Sequence, residues 1–184
     1  FSLHDALPIS KAMFHNRINR CGQPFTDIAS NRIVSCVISG NTYQFELDSE
    51  IKTGMYLKDR DGAELIVTSA FPYMDTYLAV SVSKCNHRID ILKLSDEKYK
   101  HGRSQGFEIV YSQIPAHVKF QFADPLHLPG LNVSENILSC TIANFPEIRP
   151  SWLVLHQEEH FRVLNVDNNS LPGLQILRTR PFPV

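Results

Sequence analysis

The chain has 184 residues, enough for one domain or two small ones and for a core that needs no disulfide or metal staple. Hydrophobic residues make up 43 % and charged residues 20 %, which excludes wholesale disorder, and no stretch approaches the ~20 apolar residues that cross a bilayer as a helix. The formal net charge is -1 and both halves are evenly balanced, which argues against a polybasic nucleic-acid grip or an acidic tail.

The first ten residues, FSLHDALPIS, carry neither the basic start nor the long apolar run of a secretory signal. They read as translated adapter sequence, so residues 1–12 are expected to be a non-native leader and Met13 the natural start. A short helix is expected over 12–20, where Phe14 and Ile18 fall one turn apart. From there the composition favours strands, because β-branched residues abound and 11 Pro, spread from end to end, interrupt long helices. IVSCVIS at 33–39 ends at Gly40-Asn41 and is followed by alternation over 42–47, with Tyr43, Phe45 and Leu47 on one face. That is a hairpin. Residues 55–58 and 65–69 flank Asp59-Arg60-Asp61-Gly62, and Asp-Gly between β-prone runs is a strong short-range hairpin signal. Residues 78–83 make a further strand, and 88–94 an edge strand of the same module.

Residues 95–106 (SDEKYKHGRSQG) are polar and charged, the composition of a linker. Strands are expected over 107–112 and 117–122, with a proline-rich loop over 125–130. The second half then repeats the plan of the first. ILSCTIA at 137–143 aligns with IVSCVIS at an offset of 104. At an offset of 96, Tyr56 falls on Trp152, Leu57 on Leu153, Leu65 on Phe161, Val67 on Val163, Leu78 on Leu174 and Val80 on Ile176. The expected fold is all-β: two small β-barrel or β-sandwich modules with related hairpins and a short N-terminal helix. The expected boundaries are 1–12, 13–94, 95–106 and 107–184.

Candidate chemistry is thin. Cys21, Cys36, Cys85 and Cys140 have no zinc-knuckle or CxxC spacing, and two lie in apolar runs, so reduced, buried thiols are expected. His156-Gln157-Glu158-Glu159-His160 matches the inverted zincin pattern, but that chemistry needs a helix and a downstream glutamate, and no Glu follows Glu159. The pentapeptide reads as a surface turn. His87, His101, His117 and His127 are scattered. The aromatics Tyr43, Phe45, Tyr56, Tyr77, Phe120, Phe122 and Trp152 lack interleaved Lys or Arg, so core packing accounts for them better than base stacking. No G-x-S-x-G elbow, P-loop or G-x-G-x-x-G is present. No catalytic, cofactor-binding or metal residue is assigned, and no enzyme is expected.

Met13-Phe14-His15-Asn16-Arg17-Ile18-Asn19-Arg20-Cys21-Gly22-Gln23-Pro24-Phe25-Thr26 resembles the opening of small tailed-phage neck and tail-attachment proteins: a short basic segment leading into a Gly-Gln-x-x-Thr-like first strand. The hairpin 54–62 followed by Leu65-Ile66-Val67-Thr68-Ser69 is similar to their core hairpin, departing at Met55, where an acidic residue is expected, and in carrying two such modules. The resemblance implies a structural virion protein, assembled in the host cytoplasm as a head-closure or tail-attachment adaptor. Its partners would be a homo-oligomeric ring of its own copies and the portal or connector and tail proteins, with non-specific passage of DNA and no membrane. Near-neutral charge suits a lumen in which DNA slides. The alternative is a stand-alone β-barrel binding module for a small ligand, glycan or single-stranded nucleic acid.

Overall fold

A computed structural model of the chain describes residues 10–94, 106–122 and 136–183. Among them are one helix and twelve strands, which form two closed, all-antiparallel six-stranded barrels. The chain divides between Lys84 and Cys85 into one unit per barrel.

The helix α1 (Lys11–Cys21) starts at Ser10, whose side chain accepts the Met13 N–H, and ends where the Gly22 N–H reaches the Ile18 carbonyl at 2.7 Å. Ser10, Lys11 and Ala12, set aside with the leader on sequence grounds, therefore cap and open the helix. Residues 1–9 lie outside the described residues. Phe14 and Ile18, four residues apart, are buried against Val37 with Tyr77 packed beside them, so α1 lies on the outer wall of the first barrel.

That barrel comprises β1 (Gln23–Asp27), β2 (Ile33–Ser39), β3 (Thr42–Phe45), β4 (Tyr56–Lys58), β5 (Glu64–Tyr73) and β6 (Tyr77–Lys84), in the spatial order β1-β2-β3-β6-β5-β4. Two three-strand meanders are closed on each other by the β1–β4 and β3–β6 pairings. Gly40, at φ 58, supplies the left-handed residue of the β2–β3 turn. Asp59 Oδ1 accepts the N–H groups of Asp61 and Ala63 and so shapes the β4–β5 turn. The interior holds Phe25, Cys36, Phe45, Leu57, Val67 and Val80. These side chains fill it.

The second barrel comprises β7 (His87–Leu94), β8 (Phe107–Phe122), β9 (Asn136–Ala143), β10 (Leu153–His156), β11 (Glu159–Asp167) and β12 (Leu174–Pro181). Its cyclic order, β7-β8-β9-β12-β11-β10, is that of the first barrel strand for strand. This moves a boundary. The strand over 88–94, expected as an edge of the first module, pairs with β8 and β10 and belongs to the second. The segment 95–106, expected to link the modules, instead joins two paired strands of one barrel; residues 95–105 lie outside the described residues.

The equivalence of the halves also shifts. IVSCVIS is β2, but the segment over 137–143 is β9, which pairs with β8 and β12 as β3 pairs with β2 and β6. The offset of 104 therefore joins strands at adjacent places in the cyclic orders of their two barrels, not at equivalent ones. The offset of 96 holds for β5 and β11: Val67 and Val163 each open a register shift and each accept the N–H that precedes a short strand, from Gly54 and Ser151. On the flanking strands it slips by one. Leu57 pairs with Leu65 and Val154 with Phe161, so Leu57 is matched by Val154, and Val82 and Thr179 likewise face Val67 and Val163. On the β10 side the cause is the turn before β11, where Gln157 and Glu158, both at positive φ, form a two-residue hairpin one residue tighter than the turn at Asp59; on the β12 side the path from Val163 to Thr179 is one residue longer than that from Val67 to Val82. Leu65, Val67, Phe161 and Val163 all face inward as expected.

Candidate functional site

The outer half of the β5–β6 hairpin is an exposed apolar feature of the first barrel. β4 accompanies β5 only as far as Ile66, apart from the bonds to Val67, while β5 continues to Tyr73 with β6 as its partner. The chain turns at Met74 and Asp75, both at positive φ (46° and 50°), and Thr76 closes the turn by donating to the Tyr73 carbonyl. Tyr73 pairs with Tyr77 across this three-residue loop, and left-handed φ favours Gly or Asn, so a methionine there is held against its backbone preference. Its side chain is 69 % exposed, and Phe71 and Tyr73 are 51 % and 42 % exposed. Tyr73 stacks on Tyr77 at 5.0 Å between ring centroids, and Tyr77 in turn meets Phe14 of α1 at 5.1 Å. The arm is thus anchored in the wall by a file of aromatic rings whose outer members face solvent. Pro72 sits in the outer stretch, where a residue without an N–H guards a strand edge against pairing with foreign strands.

Beside the arm, a cleft of about 550 Å³ lies between α1 and the segment after β3. Phe14, Leu47 and Thr76 line it, and His15 paired with Glu46 borders it. The strands expected over 65–69 and 78–83 stop short of the arm, which sequence reasoning missed. The signal was present: Phe71-Pro72-Tyr73-Met74 is an apolar run at the tip of a turn, where polar residues are the rule unless the run has a role.

The pentapeptide that matches the inverted zincin pattern falls on a strand, a turn and a second strand. His156 ends β10, Glu159 and His160 open β11, and the two histidines lie on neighbouring strands, with His160 paired to Leu155. Among the described residues no three His, Cys, Asp or Glu side chains gather as a metal-binding group. One part of the surface-turn expectation is corrected. His156 is only 2 % exposed, because its ring folds inward against His87, Phe120 and Phe161, while His160 faces Phe107. His87, read as a scattered histidine, is therefore its neighbour, and Phe120, read as core, is 53 % exposed. His117 is half-buried on β8, and His101 and His127 lie outside the described residues.

The four cysteines are thiols outside any disulfide; Cys36 and Cys140 are buried, Cys85 is half-buried and Cys21 is exposed. Burial pushes the Cys36 and Cys140 thiols up to about 12, which leaves them as inert apolar packing. Carboxylates are occupied in shaping backbone. Asp27 and Asp167 cap the turns that follow them through Ser30 and Ser170, and Asp90 holds the strained Gln113 (φ 55) of β8 through its N–H at 2.6 Å. Those hydrogen bonds from Ser170 and Asn169 hold the Asp167 carboxyl below its usual range. Among the described residues no helix is long and apolar enough to cross a membrane.

No family model, curated protein or solved structure matches the chain. The geometry stands on its own.

Proposed function

We propose that the chain is a structural virion protein of a tailed phage, a head-closure or tail-attachment adaptor that assembles as a ring of identical subunits, and that the β5–β6 arm makes the subunit contact. The observation that carries this reading is the arm itself: Phe71, Tyr73 and Met74 held in water by a turn that a methionine does not favour. An apolar tip of this kind finds its place against a complementary surface. A second copy of the chain suits it, because each barrel is closed by its own strand pairing and a rotational contact between different faces generates a closed ring. The resemblance of residues 13–26 and 54–69 to phage neck proteins supplies the setting. Rigid barrels with side-chain-filled interiors suit a part that bears load and performs no chemistry of its own.

The ligand-binding alternative draws less support, since the first barrel's interior is occupied by Phe45, Leu57 and Val80. The test is sedimentation velocity over a hundredfold range of concentration, with electron microscopy of the largest species. Closed rings that are lost in a Phe71→Ser, Tyr73→Ser double variant support the adaptor. A monomer throughout, for both chains, rejects the ring.

A further inference from the structure

The two barrels treat the same end differently. Phe25 pairs with Val34 as Ile89 pairs with Ile114, and Asp27 pairs with Leu57 as Ile91 pairs with Val154. On that register His87 stands where Gln23 stands in the first barrel. Lys58 pairs with Glu64 as Leu155 pairs with His160, so His156 stands where Asp59 does. In the first barrel this end is a cleft of about 290 Å³, lined by Gln23, Phe25, Ile38, Tyr43 and Asp59. In the second barrel the imidazole of His156 occupies the corresponding place. Its ring meets His87 edge-on at 4.5 Å and lies 5.9 Å from Phe120 and 6.3 Å from Phe161. Its Nε2 is buried without a hydrogen-bond partner.

An imidazole in that position is stable only while it is neutral. Adding a proton creates a buried cation with an unmet donor, and the environment offers little to hold it. β7 presents His87, a second imidazole, and β8 presents the ring of Phe120. β11 presents Phe161 and the exposed carboxylate of Glu159. Arg88, Lys119 and His160 are each one residue out of step with these positions, and alternation sends their side chains to the opposite face. Among the described residues Glu159 is the one group that favours the cation; burial and His87 outweigh it and hold His156 below its usual value.

We propose that His156 is a proton-operated latch on this end of the second barrel: neutral, it seals the mouth, and on protonation it swings out, leaving a cleft like the one at the equivalent end of the first barrel. The sign follows from proton linkage. Above about pH 6.5 the ring is neutral whether the mouth is closed or open, and closure is at its full strength. As pH falls below that value, the open state takes up the proton more readily, and closure weakens until the closed form also titrates.

The experiment uses the full chain. Amide exchange of β10 and β11, corrected for its intrinsic pH dependence, is followed from pH 8 to pH 5 alongside the histidine ring signals. Opening at Leu155 and Phe161 is expected to rise by up to about tenfold per pH unit below pH 6.5, tracking the His156 titration. His156→Phe, which keeps an aromatic plug that cannot be protonated, is expected to abolish that rise. His87→Gln, which installs the first barrel's residue, is expected to move the His156 midpoint up. An unchanged acid response in His156→Phe, or a His156 that titrates at the ordinary value with no change in exchange, overturns the latch.

Discussion

His156 and His160 are four residues apart, and the barrel gives them opposite fates. The first is sealed among His87, Phe120 and Phe161, and the second lies at a half-buried position near Phe107. At pH 7.5, His156→Ala is expected to cost about 2–4 kcal/mol, in the range of truncating other buried side chains, and His160→Ala well under half of that. Urea titration of the two single variants checks the ordering. Equal losses would mean that the turn holds His156 in water. Cysteine reactivity gives a second test at this scale. With their thiols pushed up to about 12, Cys36 and Cys140 should resist a maleimide in the native state, while Cys21 reacts at once. Labelling of all four at similar rates would contradict the burial. The strand character of IVSCVIS and ILSCTIA was legible, because alternation reports which residues of a strand share a face. The inward turn of His156 was not. It depends on a two-residue hairpin at Gln157-Glu158 and on a ring from β7, about seventy residues away in the chain, and neither leaves a local trace.

At the scale of elements, α1 and the β5–β6 arm form one aromatic unit through Phe14, Tyr77 and Tyr73. Ser10→Ala removes the cap of α1 and is expected to cost about 1 kcal/mol by thermal melting. Deletion of residues 1–12 should therefore be measurably destabilising, whereas deletion of residues 1–9 alone leaves the cap in place. The arm separates stability from association. Met74→Gly relieves a left-handed methionine and is expected to raise stability by about 1 kcal/mol while weakening self-association. A variant that loses both stability and association would make the tip part of the fold and not a contact. Two of the first barrel's hairpins, β2–β3 and β4–β5, were readable from their turn residues, Gly40-Asn41 and Asp61-Gly62. The extension of β5 beyond Ser69 was hidden, because Pro72 reads as a strand breaker and only its place on the outer stretch of the arm reconciles it with a strand.

At the scale of the molecule, the alignment of the halves was half visible. A one-residue difference between two turns moves flanking strands by one position, and side chains that alternate at every residue make a shifted alignment look nearly as good as the true one. What settles the equivalence is pairing across strands, which sequence order does not report: β7 follows the first barrel in the chain yet closes the second. Residues 85–184 expressed alone should give the dispersed amide spectrum of a folded barrel, and residues 95–184, without β7, should not, since β8 and β10 each lose a neighbour. Folding of the shorter piece would return β7 to the first barrel.

The ring is the claim on which the functional account rests, and sedimentation velocity of the full chain beside its Phe71→Ser, Tyr73→Ser variant addresses it most directly. The account expects the unmodified chain to populate a discrete closed oligomer as concentration rises, and the variant to remain a folded monomer at every concentration. A wild-type chain that stays monomeric, or a variant that forms the same oligomer, would contradict it.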